Sequence, residues 1–112
     1  MKVFTLYIGT KQPGAKETLL EILRKRFESF TVISGEGYFR GAAEPMWFVR
    51  LATDHPQKVL EISEEIRSAL RQDGVGIEYQ SRYYRCTATD PASDLAEALK
   101  REEAGAKSPP AA

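Results

Sequence analysis

Four arginines lie in or beside predicted strands between residues 40 and 85, and their side chains are suited to binding an anion. They are Arg40, Arg50, Arg82 and Arg85, and the middle and last predicted strands contain no lysine. A guanidinium can donate two parallel hydrogen bonds to a carboxylate or a phosphate, which a lysine ammonium cannot do. We therefore predict a site for a small anionic ligand or an acidic protein partner. The alternative is cross-strand pairing with Glu36, Glu44 and Glu78.

Three glycines mark the connection between the second and third predicted strands, which reads as a looped or bulged hairpin. Glycine permits backbone conformations in which successive N–H groups point at one anion. A hairpin with a purely structural role is the alternative. The predicted ligand-binding residues are Gly35, Gly37, Tyr38, Arg40, Gly41, Arg82 and Arg85.

The chain has one histidine and one cysteine, and neither has a partner nearby in the sequence. His55 precedes Pro56 at a predicted helix start, so it is either an acid–base group or part of the helix cap. Cys86 follows Arg85 and is either an activated thiol or a buried one. One histidine and one cysteine do not make a zinc site. We predict no catalytic residue, no metal and no cofactor, and leave open whether the protein is an enzyme.

Hydrophobic periodicity predicts a strand at 2–9, a helix at 15–29, strands at 30–34 and 46–53, a helix at 56–72 and a strand at 77–86. This order predicts an α+β domain over residues 1–89, a ferredoxin-like βαββαβ sandwich. Its sheet is expected to be four-stranded and antiparallel, with both helices on one face. A short C-terminal helix at 90–104 and a disordered tail at 105–112 follow.

The sheet face without helices is predicted to be apolar enough to bind another surface. Alternation directs Phe4, Leu6 and Ile8 towards the helices. The opposite, open face is expected to be an interface in a homo-oligomer, either a dimer or a trimer. The predicted interface residues are Tyr7, Met46, Phe48, Arg50 and Tyr84. A bulge near Ser81 would reverse the outer half of the last strand, and a shift of one residue would exchange the faces.

The 112 residues suit one domain, and sixteen Lys and Arg balance sixteen Asp and Glu. This balance disfavours binding to nucleic acid, which normally requires a basic excess. Residues 1–89 carry a net charge of +2 and residues 90–112 a net charge of −2, which leaves open whether the acidic helix folds over the arginines. No apolar run is long enough to span a membrane, and the first residues do not resemble a signal peptide. We expect a cytoplasmic protein.

Residues 1–86 resemble the PII and CutA group of trimeric ferredoxin-like proteins. Segment 30–38, FTVISGEGY, resembles the strand that enters the signalling loop of PII proteins. Segment 71–77, RQDGVGI, stands where that group has a glycine-containing loop, without the group's usual nucleotide-binding elements. The resemblance implies subunits packed through their sheets and ligands held between subunits. It makes a non-catalytic regulatory or adaptor protein our leading hypothesis.

Two alternatives belong to other functional classes. Leu6-Tyr7-Ile8-Gly9 and Phe48-Val49-Arg50-Leu51 resemble the two short motifs of RNA-recognition motifs, which implies stacking of single-stranded RNA on Tyr7. The second alternative is a small enzyme of the dimeric α+β-barrel type, which would use His55 or an arginine-lined pocket. A deep pocket between sheet and helices would distinguish the enzyme.

Overall fold

The computed structural model describes residues 1–107, and this part of the chain folds into five strands and three helices. In chain order they are β1 (Lys2–Gly9), α1 (Ala15–Arg24), β2 (Thr31–Phe39), β3 (Ala42–Thr53), α2 (Pro56–Ala69), β4 (Gly74–Tyr79), β5 (Arg82–Thr87) and α3 (Ser93–Lys107). The predicted α+β class is therefore confirmed. Residues 108–112 of the predicted tail lie outside the described residues, whereas 105–107 belong to α3.

All strand pairs of the sheet are antiparallel, and the strand order is β2-β3-β1-β4-β5. The sheet has five strands where four were predicted, because the predicted strand 77–86 is a hairpin. It turns at Gln80 and Ser81, whose φ angles are 50° and 64°. Two residues with positive φ are typical of the type I′ turn that joins twisted strands. Neither is the glycine or asparagine that usually signals this turn.

The β2–β3 hairpin is regular and longer than predicted. It turns at Arg40 and Gly41, with φ angles of 51° and 80°, so the predicted loop is a two-residue turn. Gly35 and Gly37 lie within β2 and pair with Met46 and Glu44. Since β1 ends at Gly9 opposite Met46, the tip of the hairpin extends beyond the rest of the sheet.

The core lies between the sheet and the three helices. Phe4, Leu6 and Ile8 of β1 are fully buried there, as the alternation predicted. Ile77 and Tyr79 of β4 lie on the same face, where the Tyr79 ring stacks on Phe4 at 4.7 Å between centroids. Intervening residues point to the other face, which none of the helices within residues 1–107 covers.

Helix α3 contributes to the core, so the folded body continues past residue 89. Leu95 and Leu99 are buried in the main hydrophobic cluster. On the sheet, Tyr79 donates a hydrogen bond of 2.7 Å to Glu102, and Gln80 donates one of 2.9 Å to the same carboxylate. The helix begins at Ser93 rather than at residue 90, because Asp90 forms the preceding turn and accepts a hydrogen bond from the Ser93 backbone N–H.

Candidate functional site

The open face is the side of the sheet that α1, α2 and α3 leave uncovered. Cross-strand register places Ile33, Phe48, Tyr7, Gly76 and Arg85 in one row across all five strands. The neighbouring row runs through Thr31, Arg50, Thr5, Glu78 and Tyr83. Four predicted interface residues, Tyr7, Met46, Phe48 and Arg50, therefore lie on the open face.

The fifth predicted interface residue, Tyr84, lies on the helix-covered face. It pairs with Ile77 of β4 and packs half-buried against the core. The turn at Gln80 and Ser81 reverses the chain, so the residues after it lie on the faces opposite to those predicted for one continuous strand. The alternative with a bulge near Ser81 had the same consequence for these residues. Tyr83 and Arg85 occupy the open face instead.

Five glycines on the open face allow larger side chains to lie flat across the sheet: Gly9, Gly35, Gly37, Gly74 and Gly76. A Cβ on Gly35 would lie 2.8 Å from Cε2 of Phe48, and one on Gly76 would lie 2.6 Å from Cε2 of Tyr83. These separations are shorter than van der Waals contact, so an alanine there would displace the ring. Glycine within a strand commonly marks such a close approach.

A groove with a cavity volume of about 470 Å³ lies between the β2–β3 hairpin and β5. Four of these glycines form its floor: Gly9, Gly37, Gly74 and Gly76. Glu44 and Met46 of β3 form one wall, and Tyr83 and Arg85 of β5 form the other. Tyr7 lines the groove between the walls, and Asp73 lies at its rim. Such a volume is typical of small-molecule sites, which measure roughly 300–1,000 Å³.

Tyr7 links the centre of the open face to both sides. Its hydroxyl donates a short hydrogen bond to the Glu78 carboxylate on β4. Its ring meets Phe48 edge-on at 5.4 Å and Tyr83 at 5.9 Å between centroids. The hydrogen bond to Glu78, together with burial, raises the pKa of Tyr7 above its usual value. The hydroxyl therefore stays protonated near neutral pH and serves as a fixed donor.

Arg85 and Glu44 are the charged groups of the two walls. Within residues 1–107 neither forms an ion pair or a hydrogen bond. The Arg85 guanidinium lies over Gly74, where a Cβ would be 2.8 Å from Nη2. Oε1 of Glu44 lies over Gly9, 3.1 Å from the position of a Cβ. Both groups are thus available to a ligand.

The structure brings three predicted ligand-binding residues together at the groove, namely Gly37, Tyr38 and Arg85. Gly35 lies under Phe48, and Gly41 forms the hairpin turn, where the Arg40 guanidinium stacks 5.1 Å from the centre of the Phe39 ring. A loop that cradles an anion in its backbone, as the glycine spacing suggested, is therefore not present in the hairpin.

Arg82 lies apart from the groove, on the other face of β5. It borders a cleft against α3 with Asp94 and Glu97. Helix α3 thus lies beside Arg82 without covering it, whereas Arg85 lies on the opposite face of the sheet.

His55 and Cys86 are remote from the groove and from each other. His55 is exposed at the N-cap of α2, and its backbone N–H donates to Thr53. Cys86 is buried and donates to Glu64, and burial raises the pKa of its thiol to about 11. An activated thiol is therefore excluded at this position. Across residues 1–107, no group of three or more His, Cys, Asp and Glu side chains is placed to hold a metal ion.

The sequence interpretation missed several contributors to the groove, among them Gly9, Asp73, Gly74, Gly76 and Tyr83. The glycines at 74 and 76 are two residues apart in one strand, which places both on one face. This spacing indicates a strip of bare backbone on one face of the sheet. Which face it lies on, and what covers it, depends on the pairing of β4 with its neighbours. Glu44 was considered as a cross-strand partner of arginine and not as a ligand-binding residue.

Known proteins give little further guidance. No family model matches the chain, and no curated protein matches it. Among solved structures, a phage SAM lyase in its apo state is similar, with a TM-score of 0.47 and 19% sequence identity over 77% of this chain and 88% of that chain. No helix within residues 1–107 is long and apolar enough to cross a membrane.

Proposed function

We propose that this protein is a cytoplasmic, PII-like regulatory protein that binds a small ligand in the open-face groove through an anionic group. The proposal rests on the Arg85 guanidinium, which has no ion-pair partner within residues 1–107 and lies in a groove of ligand size. In strand order, β1 to β4 with α1 and α2 correspond to a ferredoxin-like sheet. The buried free thiol of Cys86 suits a reducing compartment.

Arg85 is well placed to bind a carboxylate or phosphate. Its guanidinium lies over Gly74 at the floor of the groove, with Nη2 2.8 Å from the position of a Cβ. A charge-assisted hydrogen bond from such a group is roughly twice as strong as a neutral one. Binding rather than catalysis is favoured because the Tyr7 hydroxyl already donates to Glu78 and the Cys86 thiol is buried away from the groove.

We further propose that a second copy of the chain covers the open face beside the groove. Ile33 is 53% exposed and Val3 is 44% exposed, although both lie on the sheet rather than in loops. The face also carries Arg50 and Glu78, so two copies would present both charges to each other. A surface of mixed charge suits a copy of itself better than a strongly acidic or basic partner.

The anion site is tested by titrating the full chain with sodium butyrate and with inorganic phosphate, followed by the backbone amide NMR signals. We expect saturable shifts at Gly74 and Gly76. Arg85→Gln should abolish them, because its amide carries no charge. Arg82→Gln is the matched control on the other face of β5 and should bind as wild type does. Shifts that are absent, or that persist in Arg85→Gln, would refute the anion site.

A further inference from the structure

The acidic wall of the groove suggests what else the ligand carries. Glu44 lies across the floor from Arg85, and Asp73 adds a second carboxylate at the rim. A ligand that is purely anionic would therefore place negative charge near two carboxylates while pairing with one guanidinium. Electrostatic complementarity instead favours a ligand with a positive group on the Glu44 side.

The glycine floor shows over which strands the two charges lie. Tyr7 on β1 pairs with Gly76 on β4, and Gly9 and Gly74 come two residues further along these strands. Neighbouring strands are about 4.8 Å apart. Glu44 and Arg85 lie over adjacent strands, yet no ion pair joins them. Since both groups line one groove, a single small molecule there can contact both.

The groove around the two charges offers apolar surface to an aliphatic chain. The floor is glycine backbone, and the Met46 side chain lies over Gly9, with Sδ 2.9 Å from the position of a Cβ. The Tyr83 ring covers Gly76 on the other side. These apolar walls would pack against methylene groups, while each charged end meets an opposite charge.

We propose that the groove binds a short zwitterion, an amino-acid-like molecule whose carboxylate or phosphate pairs with Arg85 and whose ammonium pairs with Glu44. The inference rests on the proposed anion site and adds the ammonium subsite. Glu44 thereby selects zwitterions over simple anions, because it attracts the ammonium and repels an added negative charge. The class excludes nucleotides, whose several negative charges would face Glu44 and Asp73.

The test compares matched probes on the full chain: 4-aminobutyrate and 6-aminohexanoate, the carboxylates butyrate and hexanoate, and the amines butylamine and hexylamine. We expect at least one zwitterion to bind about tenfold more tightly than the carboxylate of equal length, since a charge-assisted hydrogen bond is added. Glu44→Gln should remove that advantage and leave carboxylate binding intact. Arg85→Gln should weaken both.

Glu36→Gln is the control, because Glu36 lies on the same hairpin outside the groove and accepts the Tyr38 hydroxyl. It should behave as wild type does, and circular dichroism should show that all variants are folded. Equal binding of zwitterions and carboxylates, or an unchanged preference in Glu44→Gln, overturns the zwitterion proposal and leaves the anion site standing. Failure of every carboxylate and zwitterion to bind overturns both.

Discussion

The Arg85 guanidinium lies across Gly74, with Nη2 2.8 Å from where a Cβ would stand on that glycine. The two residues belong to adjacent strands, β5 and β4, and both face the groove. The Arg85 guanidinium can occupy this position only because residue 74 has no side chain. The same relationship joins Tyr83 to Gly76 in the next row.

Replacing Gly74 with alanine should displace the Arg85 guanidinium and weaken anion binding about tenfold, by loss of a charge-assisted hydrogen bond. The fold should survive, because the guanidinium is the flexible end of its side chain. Butyrate titration followed by NMR measures the effect. Gly35→Ala is the control, since it disturbs Phe48 rather than Arg85. If both variants bind butyrate equally well, Arg85 does not depend on Gly74.

Replacing Ile33 with aspartate should dissociate the homo-oligomer to monomers. The side chain is 53% exposed on the open face, so a charge there would be buried without a partner in the proposed interface. Analytical ultracentrifugation of wild type and variant measures the masses. Ser34→Asp adds the same charge to the exposed other side of β2 and should leave the oligomer intact. A wild-type protein that sediments as a monomer would contradict the proposed assembly.

Glu78→Gln should lower the pKa of Tyr7 towards its usual value, because the carboxylate that accepts the hydroxyl proton is removed. The wild-type hydroxyl should titrate above pH 10, which ¹³C NMR of labelled tyrosines can follow, with Tyr7→Phe to assign the signal. Since the fold favours the protonated form, this contribution to stability is present below pH 10 and is lost as pH rises further. A Tyr7 pKa that is the same in wild type and Glu78→Gln would show that the hydrogen bond has no effect.

The buried thiol of Cys86 should make stability fall with pH between about 9 and 11. Its pKa is raised from 9.0 to about 11 by burial, so the unfolded chain releases the proton first. By pH 10.5 about 2 kcal/mol of unfolding free energy should be lost relative to pH 8 through this group. Urea denaturation of wild type and Cys86→Ala under reducing conditions isolates the contribution. Parallel pH profiles for the two proteins would rule it out.

Alternation along β1 predicted which of its residues enter the core, because each strand position alternates between an apolar and an exposed environment. The same reasoning misplaced Tyr84, since it followed one strand through Gln80 and Ser81. A type I′ turn built from these residues has no Asn-Gly signature, so only pairing with β4 reveals it. The face on which each residue of β5 lies depends on this turn.

The groove could be predicted only in part. Arg85 and Gly37 were identified because their types suit anion binding and tight backbone approach. The meeting of Gly9, Gly74 and Gly76 depends on the register of three strands that are far apart in sequence. Single-strand patterns do not contain that register. The β2–β3 turn was likewise predicted as a loop because its glycines were assigned to a connection instead of a strand.

The central claim is that Arg85 holds a small ligand in an oligomeric protein. Native mass spectrometry of the full chain, purified gently from its source, measures stoichiometry and retained ligand together. We predict a homo-oligomer that carries a small-molecule adduct in the wild type and in Arg82→Gln, and loses the adduct in Arg85→Gln. A wild-type protein without an adduct, or an adduct of the same mass retained by Arg85→Gln, would contradict the claim.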